Sequence, residues 1–190
     1  MKTIDEDIKL ACETLRKGGV ILYPTDTVWG IGCDATRSDA VKRVFEIKHR
    51  ADNKALIVML GDEYSLERYV DDVPEIAYDL IEAAVRPLTI VYDGGCNLAP
   101  ELLGEDGSVG IRITKENFSS RLCRAYRKPI VSTSANISGE PTPAVFKEIT
   151  EDIKNSVDYI VETRRNDNNP NSPSSVIKLG PGGTVKIIRN

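Results

Sequence analysis

The sequence predicts an α/β or α+β domain built on a mixed, twisted β-sheet. Short runs of apolar residues alternate along the chain with longer segments in which apolar residues recur every three to four positions. These two periodicities indicate strands and amphipathic helices, respectively. Gly and Pro stand at many of the junctions, where they end regular structure. At 190 residues the chain can bury a substantial core, and we expect a single domain over residues 1–190.

The N-terminal part of the chain predicts a helix, a strand and a polar turn. Thr3 and Glu6 have the spacing of a capping box, and the helix that they begin ends at Gly18-Gly19. The strand Val20–Tyr23 follows, and Pro24 ends it. The polar turn that follows holds Thr25, Asp26 and Thr27. Side chains directly after a strand lie in the part of an α/β sheet where ligands bind most often.

A second helix and a buried strand come next. Ser38 is the expected N-cap of the helix, whose apolar face includes Val41 and Val44. Lys48 continues this face at the last turn, so we expect its side chain to point inward. The unbroken apolar run Ala55–Leu60 is typical of a strand buried on both faces.

The rest of the chain repeats the alternation of strands and helices. Pro74 and Pro143 are each expected at the first position of a helix, and a further helix is centred on Leu122. Residues 164–175 are polar and predict a surface loop. The predicted strands are Leu88–Tyr92, Val109–Ile113, Ile130–Thr133, Asp158–Val161, and Val176–Leu179 with Val185–Ile188, the last two forming a hairpin.

Composition excludes several classes of protein. The net charge of −4 argues against nucleic-acid binding through a broad basic surface. No apolar run approaches the roughly 20 residues of a membrane span, and the N-terminus does not resemble a signal peptide, so we expect a cytoplasmic protein with no membrane partner. The four cysteines include no C-x-x-C pair, which disfavours a zinc site or a redox dithiol, and we expect them to be reduced and mostly buried.

The common catalytic and nucleotide-binding motifs are missing. The chain has no P-loop, no G-x-G-x-x-G before a helix and no set of kinase motifs. His49 is the only histidine, which excludes histidine triads, and we expect it to be solvated at a helix end. Asp26 and Asp34 could form a carboxylate pair, but turn and capping roles explain them better.

Cations and hydrogen-bond donors accumulate near several predicted strand ends. A polyphosphate bound without a glycine loop needs such groups to converge, because each phosphate oxygen requires a donor and an opposing charge. Complementing the helix dipole explains Lys48 and Arg50 equally well, and turn or cap roles explain Ser134 and Asn136. The candidate anion-binding residues are Lys48, Arg50, Lys54, Arg112, Ser134, Asn136 and Arg189.

Six segments closely resemble the YrdC/Sua5 family of threonylcarbamoyl-AMP synthases, in the order expected and over nearly the whole chain. The most specific marks are Lys48-x-Arg50 and Ser134-x-Asn136. The segments are YPTDTVWGIG (residues 23–32), KHRADNKALIV (48–58), RPLTIVY (86–92), SVGIRIT (108–114), PIVSTSANISGEPTP (129–143) and SPSSVIKL (172–179).

The resemblance implies a YrdC-like sheet flanked by helices, with a positively lined concave cavity. It implies a nucleotidyltransferase that joins L-threonine, bicarbonate and ATP, with Mg²⁺ accompanying ATP, to give threonylcarbamoyl-AMP and pyrophosphate. The product would pass to a threonylcarbamoyl transferase complex that modifies adenosine 37 of tRNA, and tRNA itself is a further partner to consider.

The family pattern also implies roles for particular residues. Lys48 and Arg50 would be catalytic by stabilising charge on the phosphates, and no protein ligand to a metal is implied. The remaining roles would be ATP binding by Lys48, Arg50, Lys54, Ser108, Ser134, Asn136, Thr142 and Arg189, and threonine binding by Thr27, Arg112 and Ser132.

The chain departs from the family pattern at a few positions, and two other functions stay open. Arg86 is an additional cation, Met59 stands where some relatives have a histidine, and Ser175 replaces a common threonine. One alternative is a paralogue of the YciO kind, or one resembling a hydrogenase-maturation domain, which uses another acyl donor. The other is a module that binds double-stranded RNA or tRNA, against which the acidic net charge weighs.

Overall fold

The structure is a computed structural model that describes residues 2–49, 56–168 and 173–189. Its strands are β1 (Ile21–Tyr23), β2 (Gly30–Gly32), β3 (Ile57–Leu60), β4 (Leu88–Tyr92), β5 (Val109–Ile113), β6 (Ile130–Ser134), β7 (Tyr159–Ile160), β8 (Ser175–Leu179) and β9 (Val185–Arg189). Its helices are α1 (Ile4–Arg16), α2 (Ser38–Ile47), α3 (Ile76–Ala83), α4 (Asn117–Tyr126) and α5 (Glu151–Ser156), with short 3-10 turns at Glu63–Arg68, Pro100–Leu102, Phe146–Glu148 and Pro181–Gly183.

Within the described ranges, the strands form one sheet in the order β7-β1-β2-β6-β3-β5-β4-β8-β9. The pairs β1/β7, β3/β5 and β4/β8 are parallel, whereas the other neighbouring pairs are antiparallel. The mixed sheet predicted from the sequence is therefore confirmed. One cluster of buried apolar side chains from the strands and helices forms the core.

Several elements begin and end where the sequence predicts. Strands β4 and β5 match their predicted bounds, and β8 and β9 form the predicted hairpin. The capping box of α1 is complete: the Glu6 amide donates to the Thr3 hydroxyl at 3.2 Å, and the Thr3 amide donates to the Glu6 carboxylate at 2.7 Å. Three of the four cysteines are buried, and the fourth, Cys96, is partly exposed; all are free thiols.

Strand β2 was not predicted, because Gly30 and Gly32 are poor strand formers. Packing explains the glycine at position 32. A Cβ atom there would lie 2.5 Å from the Val131 carbonyl oxygen and 2.6 Å from the Tyr23 ring. Only glycine allows neighbouring strands to pack this closely.

The predicted start of α2 was wrong by one residue. Arg37, not Ser38, occupies the N-cap position, and no side chain caps the helix. The Ser38 hydroxyl donates to the Glu101 carboxylate, so it does not serve as the cap acceptor. Tertiary contact thus replaces the local interaction that the sequence suggested.

Two helices expected at prolines also differ. Helix α3 begins at Ile76 rather than at Pro74, because Pro74 contributes only a turn, in which the Ala77 amide donates to its carbonyl at 2.8 Å. No helix begins at Pro143. Phe146 lies in a 3-10 turn with its ring 4.8 Å from that of Trp29, and α5 begins five residues later. This long-range aromatic contact overrides the helical periodicity.

Strand β7 is shorter than the predicted Asp158–Val161, and Ala55, at the predicted start of β3, lies outside the described residues. None of the described helices is long and apolar enough to cross a membrane.

Candidate functional site

The turn between β1 and β2 holds Thr27 through a small hydroxyl network. The Thr25 hydroxyl donates to the Val28 carbonyl at 2.7 Å and accepts from the Thr27 amide at 3.1 Å. The two threonine hydroxyls are themselves 3.1 Å apart. Because Thr25 and Thr27 are both buried, this network fixes the position of the Thr27 hydroxyl.

Arg112 lies in the middle of β5, between Met59 of β3 and Thr89 of β4. It is only 3% exposed, and its Nε atom lies 3.3 Å from Oδ1 of Asp26. Neither atom has a hydrogen-bond partner among the described residues. Burial raises the pKa of the Asp26 carboxyl, and the charge of Arg112 opposes that rise. A buried guanidinium with so few partners is suited to bind a carboxylate.

The segment after β6 is tied to the end of α2 by Lys48. As expected, the Lys48 side chain points inward: it is 2% exposed, and its amino group donates to the Ser134 and Asn136 carbonyls at 2.6 and 2.7 Å. The Asn136 side-chain amide donates to the Ile137 and Glu140 carbonyls, both at 2.9 Å. Its Oδ1 atom is buried and accepts no hydrogen bond from another described residue.

The C-terminal hairpin contributes Arg189 and Ser174. The Arg189 guanidinium donates to the Ser174 carbonyl at 2.9 and 3.1 Å. The Ser174 hydroxyl lies 3.0 Å from the hydroxyl of Thr89 on β4. These contacts hold the end of β9 beside Ser174, the residue before β8.

A cavity of about 220 Å³, here called the Arg112 cavity, brings these elements together. None of the described residues that line it is acidic, whereas Arg112 and Arg189 are cations, so the cavity favours anionic groups. Six predicted site residues line it: Thr27, Arg112, Ser132, Ser134, Thr142 and Arg189.

The remaining predicted site residues are not in this lining. Lys48 and Asn136 lie directly behind it through their contacts with the segment after β6. Ser108 precedes β5 and is four residues, or about 13 Å along the strand, from Arg112. Arg50 and Lys54 lie outside the described residues.

Sequence reasoning missed two residues of the site. Asp26 was interpreted as a turn or capping residue, but it pairs with Arg112, 86 positions away, and no local pattern indicates such a contact. Ser174 lies in a polar run that resembles an ordinary loop; the available signals are its place in the family-like segment SPSSVIKL and its position directly before a strand.

Other candidate residues have structural roles. Asp34 accepts hydrogen bonds from the Thr36 amide at 2.8 Å and from Tyr126 at 2.6 Å, and these bonds hold the pKa of its carboxyl below the ordinary value although burial opposes them. Asp26 instead contacts Arg112, so no common partner links the two aspartates. Met59 is fully buried, and His49 is exposed at the end of α2, as expected.

Arg86 is exposed and lines a second cavity of about 370 Å³, which also includes Asp26. Within the described residues, no group of three or more His, Cys, Asp or Glu side chains is arranged to hold a metal ion.

The sequence is similar to curated proteins and to solved structures. A threonylcarbamoyl-AMP synthase of Vibrio cholerae is 33% identical over 160 residues, which cover 83% of this chain and 85% of that protein. The crystal structure of P. abyssi Sua5 complexed with L-threonine superposes with a TM-score of 0.80 and is 30% identical; the match covers 90% of this chain and half of that one. E. coli YciO, at 26% identity, gives a TM-score of 0.84 over the whole of this chain and 91% of its own.

These similarities support the expected YrdC-like fold. The family model for Sua5, YciO and YrdC proteins, described as "Telomere recombination", matches residues 13–190, which is most of the chain. The chain therefore belongs to the Sua5/YciO/YrdC family.

Proposed function

We propose that this protein is an L-threonylcarbamoyladenylate synthase, a nucleotidyltransferase that uses L-threonine, bicarbonate and MgATP. The observation that carries the proposal is the buried Arg112 guanidinium in a cavity lined by hydroxyl groups and by no described acidic residue. The similarity to the Vibrio cholerae synthase and to the threonine-bound Sua5 structure supports it.

Threonine fits the Arg112 end of the cavity. The guanidinium would bind the α-carboxylate in the fork geometry that arginine provides. The hydroxyls of Thr27 and Ser132, both buried, would contact the threonine hydroxyl. A site with such polar groups discriminates strongly against an analogue that lacks the hydroxyl, since its own groups are then left unpaired.

MgATP would occupy the side of the cavity formed by Ser134, Thr142 and Arg189. The cavity is smaller than the roughly 300–1,000 Å³ of pockets that hold drug-sized ligands, so we expect the nucleotide to extend beyond its described lining. The buried Oδ1 atom of Asn136 accepts from no described residue and could accept from a donor such as the adenosine moiety.

The proposed reaction has two steps. The threonine amine attacks carbon dioxide derived from bicarbonate, and loss of a proton gives the carbamate. A carbamate oxygen then attacks the α-phosphorus, and the bond from this phosphorus to the bridging oxygen breaks to release pyrophosphate. Charge stays on phosphate oxygens throughout, so positioning by fixed donors and cations accelerates the reaction more than an acid or base would.

The test is to incubate the protein with MgATP, bicarbonate and labelled L-threonine and to measure pyrophosphate and threonylcarbamoyl-AMP. We expect pyrophosphate release that depends on threonine. Arg112→Lys should raise the KM for threonine at least tenfold with little change in the KM for ATP, because lysine lacks the planar fork. No threonine-dependent pyrophosphate from the wild-type protein would refute the proposal.

The similarity to E. coli YciO along the whole chain keeps a second candidate, an enzyme that uses the same cavity for another acyl donor. The pyrophosphate assay separates the two, because such an enzyme would release no threonine-dependent pyrophosphate. If the synthase is right, we propose that its product passes to a threonylcarbamoyl transferase complex acting on tRNA.

A further inference from the structure

The Asp26 carboxylate lies against the buried Arg112. The side chains of these residues are 12% and 4% exposed, and the two atoms 3.3 Å apart both lack hydrogen-bond partners among the described residues. The interaction is therefore one of charge more than of directional bonding. Asp26 also lines the 370 Å³ cavity beside Arg86, whereas it does not line the Arg112 cavity.

Other charged groups around Asp26 largely offset one another. Arg164, whose Nη1 atom donates to the Thr25 carbonyl at 3.1 Å, pairs with Glu116 at 3.2 Å. The Lys115 amino group is turned toward the carbonyls at the end of α3, at 2.9 Å from that of Ile81. The titratable and charged groups that face Asp26 or share its cavity are Arg112, Glu116, Arg164, Arg86, Lys115, Tyr23 and Cys123.

We propose that Asp26 determines specificity: its negative charge makes the Arg112 cavity select an α-amino acid, which carries an ammonium group, over a carboxylate that lacks one. This inference rests on the proposed function, since it assumes that Arg112 binds the carboxylate of an amino acid.

This selectivity would arise from electrostatic attraction. A carboxylate bound by the terminal nitrogens of Arg112 places its α-ammonium within about 10 Å of Asp26, a distance comparable with the Debye length and poorly screened in a buried site. None of the described residues lining the Arg112 cavity is acidic, so we assign the attraction for this ammonium to Asp26, which contacts Arg112. The same charge reduces the attraction of Arg112 for a simple anion.

The test compares L-threonine with 3-hydroxybutanoate, which lacks only the α-amino group. Calorimetry of the full chain gives the Kd of each ligand for the wild-type protein and for Asp26→Asn. We expect the ratio of the two Kd values to shift about tenfold toward 3-hydroxybutanoate in the variant, the size of a charge interaction at this range in a partly buried site. General damage to the fold would weaken both ligands and leave the ratio unchanged.

Asp5→Asn is the matched control, because it removes the same charge from an exposed position on α1 that lines neither cavity. Its ratio should equal that of the wild type. An unchanged ratio in Asp26→Asn would overturn the inference. If the wild-type protein does not bind L-threonine at all, the proposed function itself is wrong, and the two failures are thereby distinguished.

A second measurement follows the pH dependence of this ratio in the wild-type protein and in Asp26→Asn. Burial raises the pKa of Asp26, so acidification neutralises it earlier than an exposed aspartate. As the pH falls, the wild-type ratio should approach that of Asp26→Asn, in which residue 26 no longer titrates. A pH profile that runs parallel in the two proteins would also overturn the inference.

Discussion

Lys48 shows how a single residue supports the candidate site. Its amino group is held between the carbonyls of Ser134 and Asn136, and its own carbonyl accepts from the Ser138 amide at 2.9 Å. The side chain thus carries a positive charge to the Ser134 end of the Arg112 cavity, where we propose that the nucleotide binds, and fixes the backbone there. Complementing the dipole of α2 would have required neither contact.

We expect Lys48→Met to lower kcat/KM for ATP on the order of 100-fold, because it removes a buried charge and the donor that binds the Ser134 and Asn136 carbonyls. The KM for threonine should change much less. Lys48→Arg should not restore activity, since a guanidinium is larger than the space between the carbonyls. Pyrophosphate release measures both variants, and Lys42→Met, on the exposed face of α2, is the control. Near-normal turnover in Lys48→Met would show that Lys48 only complements the dipole of α2 and does not contribute to catalysis.

A second residue-scale prediction concerns Gly32. Alanine at this position would place its Cβ 2.5 Å from the Val131 carbonyl oxygen, which is backbone and cannot move freely. We expect Gly32→Ala to lower the free energy of unfolding by about 3 kcal/mol, as overpacking in a core does. Gly110→Ala, in another strand, meets its nearest atom at an ordinary 3.6 Å and should have little effect. Chemical denaturation measures both; equal stability of the two variants would contradict the prediction.

At the scale of elements, local signals were sufficient for some parts of the fold and insufficient for others. The capping box of α1 involves residues three positions apart, and the sequence displays it completely. Strand β2 and the turn at Phe146 depend on Val131 and Trp29, which are distant in sequence. The residues predicted to bind threonine do meet in one cavity. The Asp26–Arg112 pair, in contrast, leaves no local pattern in the sequence.

Asp7 is a buried charge that joins α1 to β7 and to the residues directly after β7. It is fully buried on α1 and accepts hydrogen bonds from the Thr163 amide at 2.7 Å, the Glu162 amide at 3.0 Å and the Tyr159 hydroxyl. Although burial opposes them, these bonds hold the pKa of Asp7 below its ordinary value. The stabilisation is therefore complete at neutral pH and is lost as the pH falls below about 3.9 and through the folded-state pKa.

We accordingly expect Asp7→Asn to lower the free energy of unfolding by about 2–4 kcal/mol at pH 7, because the amide cannot accept all of these bonds. The difference from the wild type should shrink as the pH falls below about 3.9 and should vanish below the folded-state pKa, where the wild-type carboxylate is also protonated. Denaturation at several pH values tests this, with Asp5→Asn, on the exposed side of α1, as the control. A difference independent of pH would mean that the charge of Asp7 contributes nothing.

At the scale of the whole molecule, positive charge is concentrated inside the cavity of an acidic protein. The net charge is −4, while Arg112 and Arg189 lie in a cavity whose described lining has no acidic residue. Small anions are therefore attracted to one place, and a long polyanion would meet repulsion elsewhere on the surface. This distribution favours an enzyme acting on nucleotides over a module that binds RNA.

This charge distribution gives the last prediction, which concerns tRNA. We expect tRNA to bind no more tightly than is typical of non-specific contacts, with a Kd weaker than about 1 µM at physiological salt. A titration of labelled tRNA at several salt concentrations measures both the affinity and its salt dependence, and saturating MgATP serves as a competitor for the cavity. Tight binding with a steep salt dependence that MgATP abolishes would mean that the cavity binds RNA phosphates, and the RNA-binding alternative would then replace the synthase. Weak binding that MgATP does not affect would support the proposed synthase. The tRNA would then be modified by a later enzyme, which receives the product formed in the Arg112 cavity.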